Sequence, residues 1–212
     1  MGASAIRHLS KVDPTMKALI RRVGACGLAV RNQQPFETLI RAIAHQQIHG
    51  RAAEAILRRF IALFPGRGFP KPAAVAAMPA AKMRRAGFSR GKIRAIKDIA
   101  RKARDGRVPT RRACHALADD ALIEQLTELH GVGQWTVEML LIFTLGRPDV
   151  LPVDDFGVRE GFKIAYGRRK QPTPKQLRRY GARWSPHRSV AAWYLWRAAE
   201  EALHRKIEPA VT

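Results

Sequence analysis

Three observations in the 212-residue sequence predict an all-α protein. Apolar residues recur at intervals of three and four along most of the chain, the spacing that lines one face of a helix. No segment alternates apolar and polar residues as a half-buried strand would. Glycine, proline and capping residues interrupt the periodic segments often, so the helices are short and closely connected. The length suffices for a sizeable core, in one domain or in two small lobes.

The elements follow in order. Asp13-Pro14 reads as an N-cap and first helical position. That helix runs through Met16, Leu19, Ile20 and Val23 and stops near Gly24–Gly27. Pro35 opens the next, with Phe36, Leu39, Ile40 and Ile43 as its stripe and Gly50 as its interruption. A third spans 52–64, with Ile56, Leu57, Phe60 and Leu63 inward, before a Gly/Pro-rich loop over 65–72. Two short helices fit 73–77 and 79–86. Ser89 caps a helix through Ile93, Ile96 and Ile99 that ends before Gly106. Apolar periodicity returns over 121–129 and 135–143. Asp154 or Asp155 starts a helix through Val158, Phe162 and Ile164; Thr173-Pro174 starts another with Leu177 and Tyr180. A long last helix covers roughly 189–206, for about ten helices in all.

Charge narrows the function classes. Thirty-nine Lys+Arg against 17 Asp+Glu give a net charge of +22. A surface that positive points to an anionic partner, nucleic acid first. A membrane partner is not expected, because no long apolar segment is present. The N-terminus lacks the apolar core of a signal peptide, so cytoplasmic residence is the expectation. Cys26 and Cys114 form no CxxC pair, and a disulfide has no support in a reducing compartment. Two thiols cannot supply the four ligands of an iron–sulfur cluster.

The stretch Leu129-His130-Gly131-Val132-Gly133-Gln134-Trp135-Thr136 joins the segments 121–129 and 135–143. Its two glycines suit a turn that needs positive φ or close approach to another backbone. Such a turn leaves amides at the next helix facing outward, where they bind an anion such as phosphate. On the Gly-x-Gly alone, a plain helix corner with glycine at C′ is the better account.

With Leu151-Pro152-Val153-Asp154-Asp155-Phe156-Gly157-Val158-Arg159 downstream, this stretch resembles the helix-hairpin-helix DNA glycosylases. The resemblance is closest to the 3-methyladenine DNA glycosylase II branch and runs roughly from Pro35 to Glu201. It implies two helical lobes with a DNA-binding cleft between them and the hairpin at its mouth. One lobe takes the chain ends, 1–34 with 154–212; the central lobe takes 35–153. The extra N-terminal domain of larger bacterial relatives is not expected. The implied protein is a monomer acting on double-stranded DNA that contains alkylated bases.

The site follows from the same resemblance. The catalytic carboxylate lies twenty residues after the hairpin position occupied by Trp135, which is Asp155; Asp154 fits after a one-residue slip. Either carboxylate also suits a plain helix cap. Base loss builds positive charge on the sugar, so a fixed negative charge or a carboxylate that activates water fits the chemistry. In relatives that also cut the backbone, a lysine stands where Trp135 stands; an indole cannot serve as that amine nucleophile. Trp196 follows the run Trp184-Ser185-Pro186-His187-Arg188-Ser189 and matches the aromatic wall of the base pocket, although Trp193, Tyr194 and Trp196 also read as ordinary core. A cationic alkylated base over an indole gains about 0.5–2 kcal/mol.

His45-Gln46-Gln47-Ile48-His49 resembles the segment that fills the gap left by a flipped nucleotide, with Gln47 as plug and His49 as a minor-groove contact. The rival zinc reading needs His45 and His49 on one helix face and lacks a third ligand. Gly131, Val132, Gly133, Gln134 and Thr136 are the expected DNA contacts of the hairpin. Backbone carbonyls of Thr127, Leu129 and Val132 match a monovalent cation site, Na+ or K+, and no other cofactor is implied. Arg84-Arg85, Arg168-Arg169-Lys170 and Arg178-Arg179 are candidate phosphate contacts. The expected function is hydrolysis of alkylated purine nucleosides in DNA without strand cleavage. Two alternatives are a non-catalytic helix-hairpin-helix binder and, on charge alone, an RNA-binding accessory protein.

Overall fold

The computed structural model describes residues 2–48 and 50–207. Among these, thirteen α-helices and no strand are found. In chain order they are α1 (Ala3–Val12), α2 (Pro14–Val23), α3 (Pro35–His45), α4 (Gly50–Ile61), α5 (Pro72–Ala77), α6 (Ala80–Ala86), α7 (Arg90–Arg104), α8 (Arg111–His115), α9 (Asp119–Thr127), α10 (Gln134–Leu140), α11 (Phe156–Ala165), α12 (Pro174–Gly181) and α13 (Arg188–Ile207). A π-helical turn, Leu141–Leu145, extends α10, and a 3-10 turn, Ala182–Trp184, follows α12.

The chain divides into two compact units. The first joins 1–30 to 146–212; the second is 31–145. Both boundaries differ from the expected 34/35 and 153/154, and packing explains the difference. Val150, Leu151 and Val153 are buried, and the last two belong to the first unit's core. Asp149 takes a two-pronged ion pair from Arg188, at 2.8 and 2.9 Å, and the Ser189 amide donates to the Pro148 carbonyl. The segment after Gly146 is thereby tied to α13. Conversely, the Arg31 amide donates to the Phe143 carbonyl at 2.7 Å, and Asn32 and Gln34 both bind Arg111.

In the first unit, α11 packs along α13 around Leu9, Met16, Leu19, Val158, Phe162, Trp184, Tyr194 and Leu195. Gly161 permits this approach: a Cβ there would lie 1.8 Å from the Leu195 carbonyl oxygen. Asp13, fully buried, caps α2 by accepting from the Met16 amide at 3.0 Å. Its other oxygen accepts from Tyr166 Oη at 2.6 Å and Trp184 Nε1 at 2.9 Å, so one carboxylate ties three elements together. Burial, and then Asp13 beside it, push the Tyr166 phenol far above its ordinary range.

In the second unit, α7 is central and packs on α3 and α5. Three of its lysines satisfy carbonyls at the ends of other helices: Lys92 binds Ala44 O, Lys97 binds Ala76 O and Lys102 binds Glu128 O, all at 2.7–2.8 Å. The last turn of a helix has carbonyls without intrahelical partners and carries partial negative charge, so ammonium groups suit it. Burial lowers the Lys92 and Lys97 amines below the usual lysine range.

Some elements depart from expectation. α1 precedes the first expected helix; its buried stripe is only Ala5 and Leu9, and Gly2 provides no side-chain cap. α8 is a single turn capped by Thr110. α4 begins at Gly50 and stops at Ile61, leaving Leu63 in the loop. The second hairpin helix loosens into the π turn at Leu141, where Thr144 is fully buried and shares a 2.9 Å hydrogen bond with Thr38.

Candidate active site and nucleic-acid interface

In the first unit, the carboxylate pair resolves into two distinct environments. Asp154 is exposed. Asp155 is half-buried and is the N-cap of α11: its Oδ1 accepts from the Val158 amide at 2.7 Å. The same oxygen accepts from Trp196 Nε1 at 2.8 Å. Capping and the candidate catalytic role thus fall on one residue. The close approach at Gly161 sets the height of α13 against α11 and brings Trp196 beside the helix start. Gly157 leaves room for the indole: a Cβ there would be 2.8 Å from Trp196 Cδ1 and 3.2 Å from Asp155 Oδ1. Trp196 therefore turns its N–H edge to the carboxylate. Phe156, between Asp155 and Gly157, is 71% exposed.

In the second unit, α9 and α10 pack together and the hairpin turn lies between them. Gly131 has φ +80°, a value costly for any residue with a Cβ. It also sits 3.1 Å, by its Cβ position, from Ala95. Gly133 differs: its φ is −95°, and a Cβ would meet nothing within 4 Å. The open space at Gly133 gives another molecule access to the backbone there. Asp98 fixes the turn from α7 by accepting from the His130 amide at 2.9 Å while pairing with Lys102 at 3.2 Å. Burial alone would raise the Asp98 carboxyl, but the His130 amide and Lys102 outweigh it and hold it below the usual range.

The hairpin residues expected to touch DNA do not all present side chains. Gly131, Gly133, Gln134 and Trp135 are exposed, Trp135 by 44%. Val132 and Thr136 are buried at 5% and 3%, so their side chains belong to the core and any contact with a ligand there falls to the backbone. Gln134 is engaged by Glu138 at 2.9 Å. Leu129 is likewise buried, and its carbonyl accepts the Val132 amide at 3.0 Å.

The Gln-Gln-Ile run lies against this hairpin. α3 ends at His45, and the C-cap residue Gln46 donates through Nε2 to the Gly131 carbonyl at 3.1 Å. Gln47, next in the chain, is exposed with φ +57°, the only non-glycine with positive φ among the described residues. His45 pairs with Glu54 at 3.0 Å. His49 lies outside the described residues. The helix end at His45 removes the shared helix face that the zinc reading needed, and no cluster of three metal-ligating side chains occurs among the described residues.

Sequence reasoning missed Gln46, Asp98 and Gly157 as parts of the site. Gln46 and Gly157 stood inside runs already noted, but each acts on a partner remote in sequence. Cys26 and Cys114 lie in different units and form no disulfide with each other. Of the basic clusters, Arg84 and Arg85 lie in the second unit, and the other two lie in the first.

Comparison with known proteins places this architecture. The model of the HhH-GPD superfamily of base excision DNA repair proteins matches residues 40–187, and the chain belongs to that superfamily. A DNA-3-methyladenine glycosylase of Schizosaccharomyces pombe is 40% identical over 201 residues, covering 94% of this chain and 88% of the relative. Among solved structures, a 3-methyladenine DNA glycosylase of the same yeast in complex with abasic DNA superposes with a TM-score of 0.85 at 40% identity, covering 93% of this chain and 97% of that one. A DNA-3-methyladenine glycosidase from Bacillus halodurans superposes at 0.84 with 32% identity, covering 95% and 96%. No helix among the described residues is long and apolar enough to cross a membrane.

Proposed function

We propose that this chain is a base-excision DNA glycosylase that hydrolyses the N-glycosidic bond of alkylated purines such as 3-methyladenine and 7-methylguanine. The observation that carries this reading is the pose of Asp155, an N-cap carboxylate held at one oxygen by two N–H donors. The name of the 40% identical relative supports the substrate class. Loss of the base leaves positive charge on the sugar. A carboxylate fixed in advance stabilises that charge more than it stabilises the neutral sugar, and this difference lowers the barrier. The same group serves to orient or deprotonate the attacking water.

Alkylation makes the leaving purine cationic, and Trp196, beside Asp155, is the aromatic surface assigned to it. Contact with an indole face is worth about 0.5–2 kcal/mol to a cation. With tryptophan at position 135, the hairpin offers no amine there to attack the sugar, so the reaction ends at an abasic site. Gln47 fills the space vacated by the flipped nucleotide; its exposed, left-handed turn supports that role. Backbone at Gly131–Gln134 takes a phosphate. A monovalent cation held by the carbonyls of Thr127, Leu129 and Val132 belongs to the same reading: the turn offers carbonyl oxygens, the donors that hard cations take.

Release of methylated bases from alkylated duplex DNA tests the proposal, with Asp155→Asn as the control. Release by the wild type and its loss in the variant are expected. Binding of duplex without any release would leave a non-catalytic DNA-binding module.

A further inference from the structure

A cavity of about 770 Å³ opens in the first unit at the far end of α11 from Asp155. Phe162, the 168–173 loop and one face of α12 line it, with Arg168, Arg169, Lys170, Arg179 and Arg183 among the lining residues. Phe162, the cavity's lining residue on α11, lies seven residues beyond the N-cap Asp155, roughly 10 Å at 1.5 Å per residue, and neither Asp155 nor Trp196 lines the cavity. The cavity therefore does not hold the base whose sugar meets Asp155.

Its charge is one-sided. Residues 168–183 contain seven Lys and Arg and no Asp or Glu. Among the described residues, none of the seven is paired with a carboxylate, although salt bridges form elsewhere in this unit. The nearby Glu160 is occupied by Lys163 at 2.8 Å and Gln171 at 2.7 Å. Arg183 is held in place: its guanidinium lies 3.9 Å from the centre of the Tyr180 ring, and its Nε donates to the Tyr180 carbonyl at 3.1 Å. The rings of Phe162, Tyr166 and Tyr180 pack on one another beneath it. Thr173 and Gln176 close a capping box that satisfies each other's amides, and Pro174 at the first helical position has none, so the cavity's character comes from its side-chain cations.

We propose that this cavity is a second DNA-binding surface, which takes the phosphodiester backbone of a duplex segment other than the one presented to Asp155. The proposal rests on the DNA-directed reading above. Cations that repel one another in the free protein are neutralised by closely spaced phosphates, and counterion release makes the contact favourable at low salt. Such a contact positions DNA without reading its sequence or its lesions. It gives the enzyme a hold on undamaged duplex that does not depend on a flipped base.

The test measures binding alone, on an undamaged 40-base-pair duplex, by fluorescence anisotropy across a salt series. The wild type is compared with R168Q/R169Q/R179Q and with the charge-preserving R168K/R169K/R179K. Each lost phosphate contact removes about 0.9 from the slope of log K against log salt. The Gln variant should therefore be shallower by about 2–3 and bind at least tenfold more weakly at low salt, while the Lys variant keeps the wild-type slope. An unchanged slope in the Gln variant overturns the proposal, as does an equal loss in the Lys variant. Competition of the wild type with single-stranded RNA and with inorganic phosphate adds two outcomes. If either displaces the duplex at lower phosphate concentration than unlabelled duplex does, the cavity is not a duplex surface. Base release is scored separately on alkylated DNA. A slope change in the Gln variant beside a wild type that releases no base refutes the glycosylase reading and leaves this surface intact.

Discussion

The indole N–H of Trp196 donates to Asp155 Oδ1 at 2.8 Å, across 41 residues of sequence. The two meet because Gly161 lets α13 lie directly on α11 and Gly157 leaves the indole its place. The pair orients a carboxylate that would otherwise only cap a helix.

Replacing Asp155 by Asn should abolish or strongly reduce base release while leaving affinity for lesion duplex within a few-fold. Asp154→Asn, at an exposed neighbour, should have much less effect. Trp196→Phe removes one hydrogen bond to a charged group, worth about 1.5–3 kcal/mol, and should slow release by about 10–100-fold. Single-turnover rates on an alkylated duplex measure all three. A wild-type rate for Asp155→Asn would refute the assignment.

Gly157→Ala separates activity from stability. A Cβ at 2.8 Å from Trp196 Cδ1 forces the indole aside, so release should fall at least tenfold. Helix propensity favours alanine over glycine by about 1 kcal/mol, which offsets part of the crowding, so the fold should survive. Gly161→Ala is the contrast: 1.8 Å from a backbone carbonyl has no relief by side-chain movement, and the first unit should lose most of its stability. Thermal unfolding followed by circular dichroism, beside the activity assay, distinguishes the two.

Gln47 holds a left-handed φ of +57°, which costs an L-residue about 1–2 kcal/mol. Gln47→Gly should raise the melting temperature slightly, whereas Gln47→Ala should not. Both should slow excision, more for a well-paired lesion than for one in a mismatch, since unstacking costs least where pairing is already poor. Equal slowing in the two contexts would count against the plug.

Strand integrity is the next check. The product should carry an intact backbone that breaks only on alkali treatment, because the residue at 135 is an indole. Borohydride trapping of a protein–DNA adduct through a protein amine would contradict this.

Acid should weaken the segment that joins Gly146 to α13. Burial raises the Asp149 carboxyl, but hydrogen bonds from Arg188 and Ser185 and the Arg188 charge bring it below the ordinary value. A carboxyl lowered by folding contributes its stability above its unfolded pKa of about 3.9 and loses it as pH falls through the folded value. Asp98 follows the same sign at the hairpin. The wild type should therefore lose stability below about pH 4, and Asp149→Asn should flatten that part of the profile. An unchanged slope in the variant would remove Asp149 from the account.

By itself the sequence determined the helical character, most helix starts, the hairpin and the carboxylate pair. These are local matters: periodicity selects the buried face, and Asp13, Ser89, Asp155 and Thr173 each cap a helix through the amide three residues on. Tertiary structure alone decided what depends on remote partners. It bound Asp155 through an indole on α13, left Asp154 exposed, and moved the unit boundary to Gly146 through Arg188. It placed Gln46 on the Gly131 carbonyl and turned Val132 and Thr136 inward. It also gathered Arg168, Arg169, Arg179 and Arg183 around one cavity. A local pattern sets the direction of a side chain relative to its own helix. Which helix lies opposite follows from packing, and here packing depends on how closely two backbones approach at single glycines.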